Sequence, residues 1–295
     1  MAIQAVLRRS DRWARDLARR SHATWRWGLN AAPTLAFHRR GGAPDPATVA
    51  LVAALDRDGI ATTTLDALVG PESAAGLLSA TTRVRQEAEG LVEAARARSE
   101  AGYGSVQKPY VVGLRDSGVP SRDPADPLTS FALDPRVVAV VHGYFEMFVR
   151  LRYVDLWHTL VTDAAPTQSQ LWHRDPEDRL ILKVFVALED VDERSGPFHY
   201  APGTHAKGPI RRRPAAATVD GSTPRSTDEQ MADVVPRDRW RTATGPRGTV
   251  VFADTRGFHK GGHAIARERV LYVSQYLSRA AGRGGVPTDR PTHGR

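Results

Sequence analysis

The 295-residue chain contains no cysteine. That excludes a disulfide framework, an iron–sulfur cluster, a thiolate zinc site and a cysteine nucleophile. No apolar run comes near the ~18 residues that a membrane-spanning helix requires. The opening MAIQAVLRRSDRWARDLARR has too short an apolar stretch for a secretory signal. A reducing, cytoplasmic setting without a membrane partner is expected. Lysine is scarce: Lys108, Lys183, Lys207 and Lys260 are the only lysines among 41 basic residues. The net charge of +8 is concentrated in residues 8–20, in Arg211–Arg213 and in the C-terminal tail. No helix-turn-helix, zinc-finger or RNP-type signature accompanies it, so nucleic acid is not an expected partner. A solvated basic surface accounts for the charge.

The composition is 41% hydrophobic and 25% charged, ordinary for a globular protein with a sizeable core. Residues 1–45 read as a helical appendage, with Leu7, Trp13 and Leu17 on one face and arginines on the other. Asp45-Pro46 suits a helix start, and a helix over 46–57 is followed by Gly59 at its C-terminal end. Ile60–Leu65 resembles a short strand, and 72–100 is alanine-rich with a helical period. From about residue 105 short β-type runs follow one another: 109–114, 151–162, 169–173, 180–188, 197–201, 248–254 and 268–277. A helical pattern over Pro135–Val149 interrupts them. Many short strands with few long helices predict a jelly roll, a double-stranded β-helix core flanked by N-terminal helices. One domain over 46–279 is expected, with a long polar loop insertion at 206–243 and a disordered tail at 280–295.

The chemistry centres on Leu171-Trp172-His173-Arg174-Asp175. In an extended segment, residues i and i+2 share a face, so His173 and Asp175 can grip one metal ion together. A second histidine from a distant strand would complete a 2-His-1-carboxylate triad, the usual site of a non-haem Fe(II) oxygenase. An isolated His-x-Asp recurs by chance, so the partner histidine matters. Phe258-His259-Lys260-Gly261-Gly262-His263 supplies candidates just past the strand Thr249–Asp254. Ten residues after His259, Arg269 opens another apolar strand. An arginine facing into a barrel needs an anionic partner, which a carboxylate cosubstrate would supply. Lys183 sits in an apolar strand, where a buried lysine would also need a partner.

Several runs together resemble the phytanoyl-CoA dioxygenase family. They are Ser169–Asp175, Lys183–Val191, Ser195–Phe198, Pro202–His205, Gly248–Asp254, His259–Gly262 and Arg269, in that order. The resemblance extends from Leu55 over roughly 50–278. It implies a double-stranded β-helix enzyme using Fe(II), 2-oxoglutarate and O2. It implies His173, Asp175 and His259 as iron ligands and Arg269 as the site of the distal carboxylate of 2-oxoglutarate. Arg267 is an alternative, because the spacing from His259 is about one residue shorter than expected; strand placement favours Arg269. Lys108 resembles a lysine that can touch 2-oxoglutarate, and Phe185 stands where the namesake enzyme carries a tryptophan. Gln170, two residues from Trp172, is a candidate to reach cosubstrate or substrate. His205 reads as structural. His158, His263, His199 and Tyr200 are as readily explained by packing as by function.

The reaction implied is hydroxylation of an unactivated C–H bond in a small molecule, with release of succinate and CO2. Desaturation, epoxidation and ring closure use the same oxidant. The arginine content permits an anionic substrate. A carboxylate at residue 175 argues against halogenation, because related halogenases lack that ligand. The competing possibility is a non-catalytic binding protein on a jelly-roll scaffold.

Overall fold

The structure, a computed structural model, describes residues 21–40, 43–100, 108–115, 120, 121, 123, 125–220, 223–282 and 284–289. Three helix starts are written in the sequence as Asp-Pro pairs. Before α1 (Ala31–Arg40) lies a single irregular turn, Thr24–Leu29. At α2 (Pro46–Asp58), the Asp45 carboxylate accepts from Thr48 N at 3.0 Å and Pro46 occupies the first turn. Gly59 ends it in the left-handed region at φ 81°, donating to Leu55 O. The chain continues into β1 (Ile60–Thr64), then α3 (Leu65–Glu87), which breaks at Gly70 before Pro71, and α4 (Glu89–Glu100). Asp126 and Asp134 cap α5 (Pro127–Ala132) and α6 (Pro135–Phe145) in the same manner as Asp45.

Among the described residues the β-runs form two main antiparallel sheets and one separate two-stranded hairpin. The larger has the order β1, β9 (Thr249–Asp254), β4 (Ile181–Ala187), β11 (Arg269–Leu277), β3 (Arg150–Thr159), β12 (Val286–Pro287), with β2 (Val111–Gly113) also on β3. The smaller runs β10 (His259–Gly261), β5 (Phe198–Tyr200), β8 (Arg241–Ala243). Period-two alternation explains how the large sheet is covered on both faces. On β4, Leu182, Val184 and Val186 face the helices in one core. Phe185 and Ala187 face the small sheet and pack on Phe198 and Tyr200 in a second. This is the expected jelly roll with its N-terminal helical layer.

Four local expectations need correction. Residues 21–40 are not an appendage: Trp25 is fully buried and donates from Nε1 to Asp178 Oδ1 at 2.9 Å. The amphipathic pattern at Leu7, Trp13 and Leu17 lies outside the described residues. Segment 206–243 is not a bare loop. It holds the hairpin β6 (Thr218–Asp220) and β7 (Thr223–Arg225), then α7 (Asp228–Ala232) and β8. Met231 and Val235 from this segment bury Trp172 and Phe258. The tail is structured at least to Asp289, because β12 pairs with β3 and Thr288 Oγ1 meets His142 Nε2 at 2.7 Å. Residues 290–295 lie outside the described residues. Finally, 169–173 is no strand. Gln168 takes φ 48° in a 3-10 turn over Gln168–Gln170, and pairing resumes only as single bridges at Trp172 and His173.

Two predictions follow from this packing. Trp25→Ala removes a fully buried indole and should cost about 3–5 kcal/mol, read from urea unfolding. His142 is buried against Phe37 and Phe148, and burial pushes its pKa down to about 4. In the unfolded chain a histidine titrates near ~6.5. Between those values the unfolded state takes up a proton that the folded state refuses. Stability should therefore fall as pH is lowered through that window, by up to about 3 kcal/mol from this residue. In His142→Gln the pH dependence of stability should be shallower by that amount.

Candidate metal centre

Residue 173 and residue 259 are joined by their backbones. His173 N donates to His259 O at 2.9 Å, and His259 N donates to His173 O at 3.0 Å. Asp175 N donates to Thr255 O at 2.9 Å, tying the same segment to the turn after β9. That turn is itself fixed by Asp254. Its carboxylate accepts from Tyr144 Oη at 2.5 Å and from Arg256 N at 3.0 Å. Its carbonyl accepts from Tyr200 Oη at 2.8 Å. Gly257 is required here: a Cβ would fall 2.0 Å from that hydroxyl.

The outcome is a compact donor set. One ligand atom each from His173, Asp175 and His259 lie within 4.8 Å of one another, and all three residues are buried. Asp175 Oδ1 is 3.9 Å from His173 Nε2, and Asp175 Oδ2 is 3.8 Å from His259 Nε2. Each imidazole is oriented from behind. His173 Nδ1 lies 2.8 Å from Leu171 O, and His259 Nδ1 lies 3.0 Å from Gly257 O. A carbonyl can only accept, so each Nδ1 carries the proton and each Nε2 keeps a lone pair for a metal. Burial holds both rings neutral: it pushes His259 down to about 4 and His173 well below its ordinary value.

Lys183 projects from β4 beside this set, its Nζ 2.7 Å from Asp175 Oδ2. Burial opposes the charge on each partner, yet the pair overcomes it. Asp175 is held below the usual carboxylate range by Lys183 and the histidines, and Lys183 is raised above its ordinary value by Asp175.

These side chains line a cavity of about 270 Å³, near the lower end of small-molecule sites, roughly 300–1,000 Å³. Arg269, Gln170 and Lys108 line the same cavity, as do Phe185 and Trp157. Arg269 is buried, and among the described residues it makes no ion pair. Among the described residues its one side-chain hydrogen bond is to Thr159 Oγ1 at 3.4 Å, and its Nε has no partner. Burial alone lowers its pKa to about 10. Arg267 instead sits on the surface and pairs with Asp192 at 3.2 Å. Gln170 spends Oε1 on Thr167 N at 3.1 Å, which leaves Nε2 buried and unpartnered at the cavity wall. Gln170 reaches the wall through the turn at Gln168 rather than through strand alternation.

Other sequence candidates lie elsewhere. His205 meets Asp56 O at 3.1 Å, and His158 pairs with Glu268. His263 donates from Nε2 to Thr162 O in a loop, and His199 meets Thr242. Tyr200 is committed to Asp254 rather than to the cavity. Arg211 and Arg212 reach backbone carbonyls on the exterior. The sequence did not identify the partner of Lys183, nor Thr159 and Phe198 as cavity walls. Alternation on β4 could have shown that Lys183 and Phe185 share a face.

Solved structures share this architecture. EctD from S. alaskensis with bound Fe is similar over 85% of this chain and 85% of its own, at 18% identity and a TM-score of 0.54. The epimerase SnoN, in complex with Fe3+, alpha ketoglutarate and nogalamycin RO, gives 84%, 98%, 19% and 0.51 for the same quantities. The alpha ketoglutarate dependent carbocyclase SnoK from nogalamycin biosynthesis gives 85%, 98%, 16% and 0.52. At such identities the likeness is one of fold. No curated protein matches the chain in sequence. The family model described as phytanoyl-CoA dioxygenase matches residues 78–265, more than half of the chain. The chain belongs to the phytanoyl-CoA dioxygenase family.

Proposed function

We propose that this protein is an Fe(II)- and 2-oxoglutarate-dependent dioxygenase that hydroxylates an unactivated C–H bond of a small molecule. The observation that carries this reading is one cavity holding both a buried His–Asp–His set and a buried arginine with no anion of its own. The donor set fits Fe(II): two neutral imidazoles and one carboxylate on one face, with other positions left for ligands. The bound metal and cosubstrate supply the oxidising chemistry.

The chain's own residues do the rest. His173 and His259 hold their Nε2 atoms in place through Nδ1 hydrogen bonds to Leu171 O and Gly257 O, in segments that are themselves bridged by their backbones. Asp175 supplies the one negative charge among the three ligands. Arg269 receives a carboxylate; burial makes that contact strong and makes an unfilled site costly. Gln170 Nε2 donates to an oxygen of cosubstrate or substrate, and Lys108 adds a second cation at the wall. Phe185, Trp157 and Phe198 exclude water from the space between. The neighbours named above include an epimerase and a carbocyclase, so proteins of this fold carry out more than one kind of reaction. The complete carboxylate-bearing triad favours hydroxylation over halogenation.

Anaerobic addition of Fe(II) and 2-oxoglutarate should produce the visible metal-to-ligand charge-transfer band in the wild type. Asp175→Ala should lose both the band and substrate-coupled succinate formation while keeping its far-ultraviolet spectrum. Full activity in that variant would remove Asp175 from the site. Arg269→Ala should still bind Fe(II) but hold 2-oxoglutarate about 10- to 100-fold more weakly, the value of one lost charge-assisted contact.

A further inference from the structure

We infer that the chain carries a second ligand site, a small pocket at the far end of β3 from the metal cavity, which takes a phosphate-like oxyanion. Its polar walls are Arg150, Arg152 and Ser278, closed by Leu277, Gly282 and Gly284. β3 is ten residues long, so at about 3.3 Å per residue it spans about 30 Å. Thr159 at its end lines the metal cavity, and Arg150 at its start lines the second pocket. The two sites are therefore separate.

Sheet register builds the cationic wall. Tyr153 pairs with Gln275 and Leu151 pairs with Tyr276, which leaves Arg152 as the extra residue of a β-bulge. A bulge re-aims the side chain it carries. Arg152 thereby joins Arg150 at the end of β11, where Leu277 and Ser278 follow one another. Gly284 makes room for its guanidinium: a Cβ there would fall 2.7 Å from Nη1.

The protein does not neutralise that wall. Among the described residues no acidic side chain lines the pocket, and neither arginine makes an ion pair. Arg150 reaches only Gly285 O, at 3.4 Å, and its Nε is buried without a partner. The carboxylates on flanking segments are committed elsewhere. Asp178 accepts from Ser278 N at 2.8 Å and from Trp25 Nε1 at 2.9 Å, and Asp289 pairs with Arg279 at 2.6 Å. Ser278 is the third polar group. It is 1% exposed, and its hydroxyl has no partner. It precedes the 3-10 turn Arg279–Ala281 without capping it. The enclosed space is about 120 Å³, where a single water needs only about 10–15 Å³. Buried donors left open around a cavity require an acceptor. Two guanidinium forks select an anion that offers several oxygens, and the hydroxyl can donate to one more. Inorganic phosphate and the phosphoryl group of a larger molecule share that chemistry.

The test is calorimetric titration of the full-length protein with inorganic phosphate and, separately, with glycerol 3-phosphate, chloride holding the ionic strength constant. The wild type should bind one phosphate per chain. Arg152 is exposed, so Arg152→Gln spares the core. That variant should weaken binding about 10- to 100-fold, the value of one lost charge-assisted contact. Arg152→Lys, which keeps the charge but not the fork, should recover part of the loss. Ser278→Ala should weaken binding by roughly tenfold or less. Arg269→Ala, in the metal cavity, should bind phosphate as the wild type does. Binding of glycerol 3-phosphate as tight as that of phosphate supports the site and assigns it to a phosphoryl group on a larger molecule. Binding of inorganic phosphate alone supports it as a site for the free anion. Absence of saturable binding of either by the folded wild type overturns the inference. So does phosphate binding that is unchanged in Arg152→Gln, or that is lost in Arg269→Ala, which would place the anion in the metal cavity.

Discussion

Two reciprocal backbone hydrogen bonds between residues 173 and 259 are the constraint on which the centre depends. They bring together segments far apart in the chain and set the two imidazoles 4.3 Å apart, ring centre to ring centre. They also require the small sheet to lie over the large one at a definite place. The packing on both sides serves that requirement. Phe198 and Tyr200 press the small sheet onto Phe185, Val251 and Leu271. On the outside, Trp172 and Phe258 are covered by Met231 and Val235. Segment 206–243 thus packs behind the paired segments, outside the cavity lining.

Charge is distributed within the cavity so that one end favours a cation and the other an anion. Among the described residues Asp175 is the single acidic side chain in the lining, and it forms an ion pair with Lys183. Burial strips both histidines of charge. Arg269 therefore carries a positive charge that nothing in the protein's lining offsets. Gln170 adds a donor with nothing to donate to. A fold normally satisfies buried polar atoms. Where several are left open around one cavity, the missing partners belong to the ligands.

Much of this was legible locally. Asp-Pro at helix starts and Gly59 at a helix end act through their own backbone, so they are recognisable without the rest of the molecule. The apolar-rich strands β3, β4, β9 and β11 fall within a residue or two of where the apolar runs place them, except that β3 stops short at Thr159. Local pattern misled at 169–173, where a short run read as β-type is not a strand. The chain there takes a positive φ at Gln168 because Tyr110 and the Thr167–Gln170 capping pair hold the turn. It misled again at 21–40 and at the tail. Neither has an apolar pattern strong enough to announce burial, and each is held by a few contacts to distant residues, Asp178 and His142.

The sequence by itself determined which side chains could form a metal centre, and that Arg269 needed an anion. His173 and Asp175 share a face through their spacing alone, and a glycine-flanked histidine after a strand is a local feature. The family resemblance already singles out His259 and Arg269; only the tertiary structure shows how His259 meets His173 and Asp175, that Arg267 lies at the surface, and that Lys183 pairs with Asp175. The reason is physical. Ligand choice depends on distances between strands that are remote in sequence. Those distances are set by sheet register and by what is buried, neither of which is a property of any short stretch of chain.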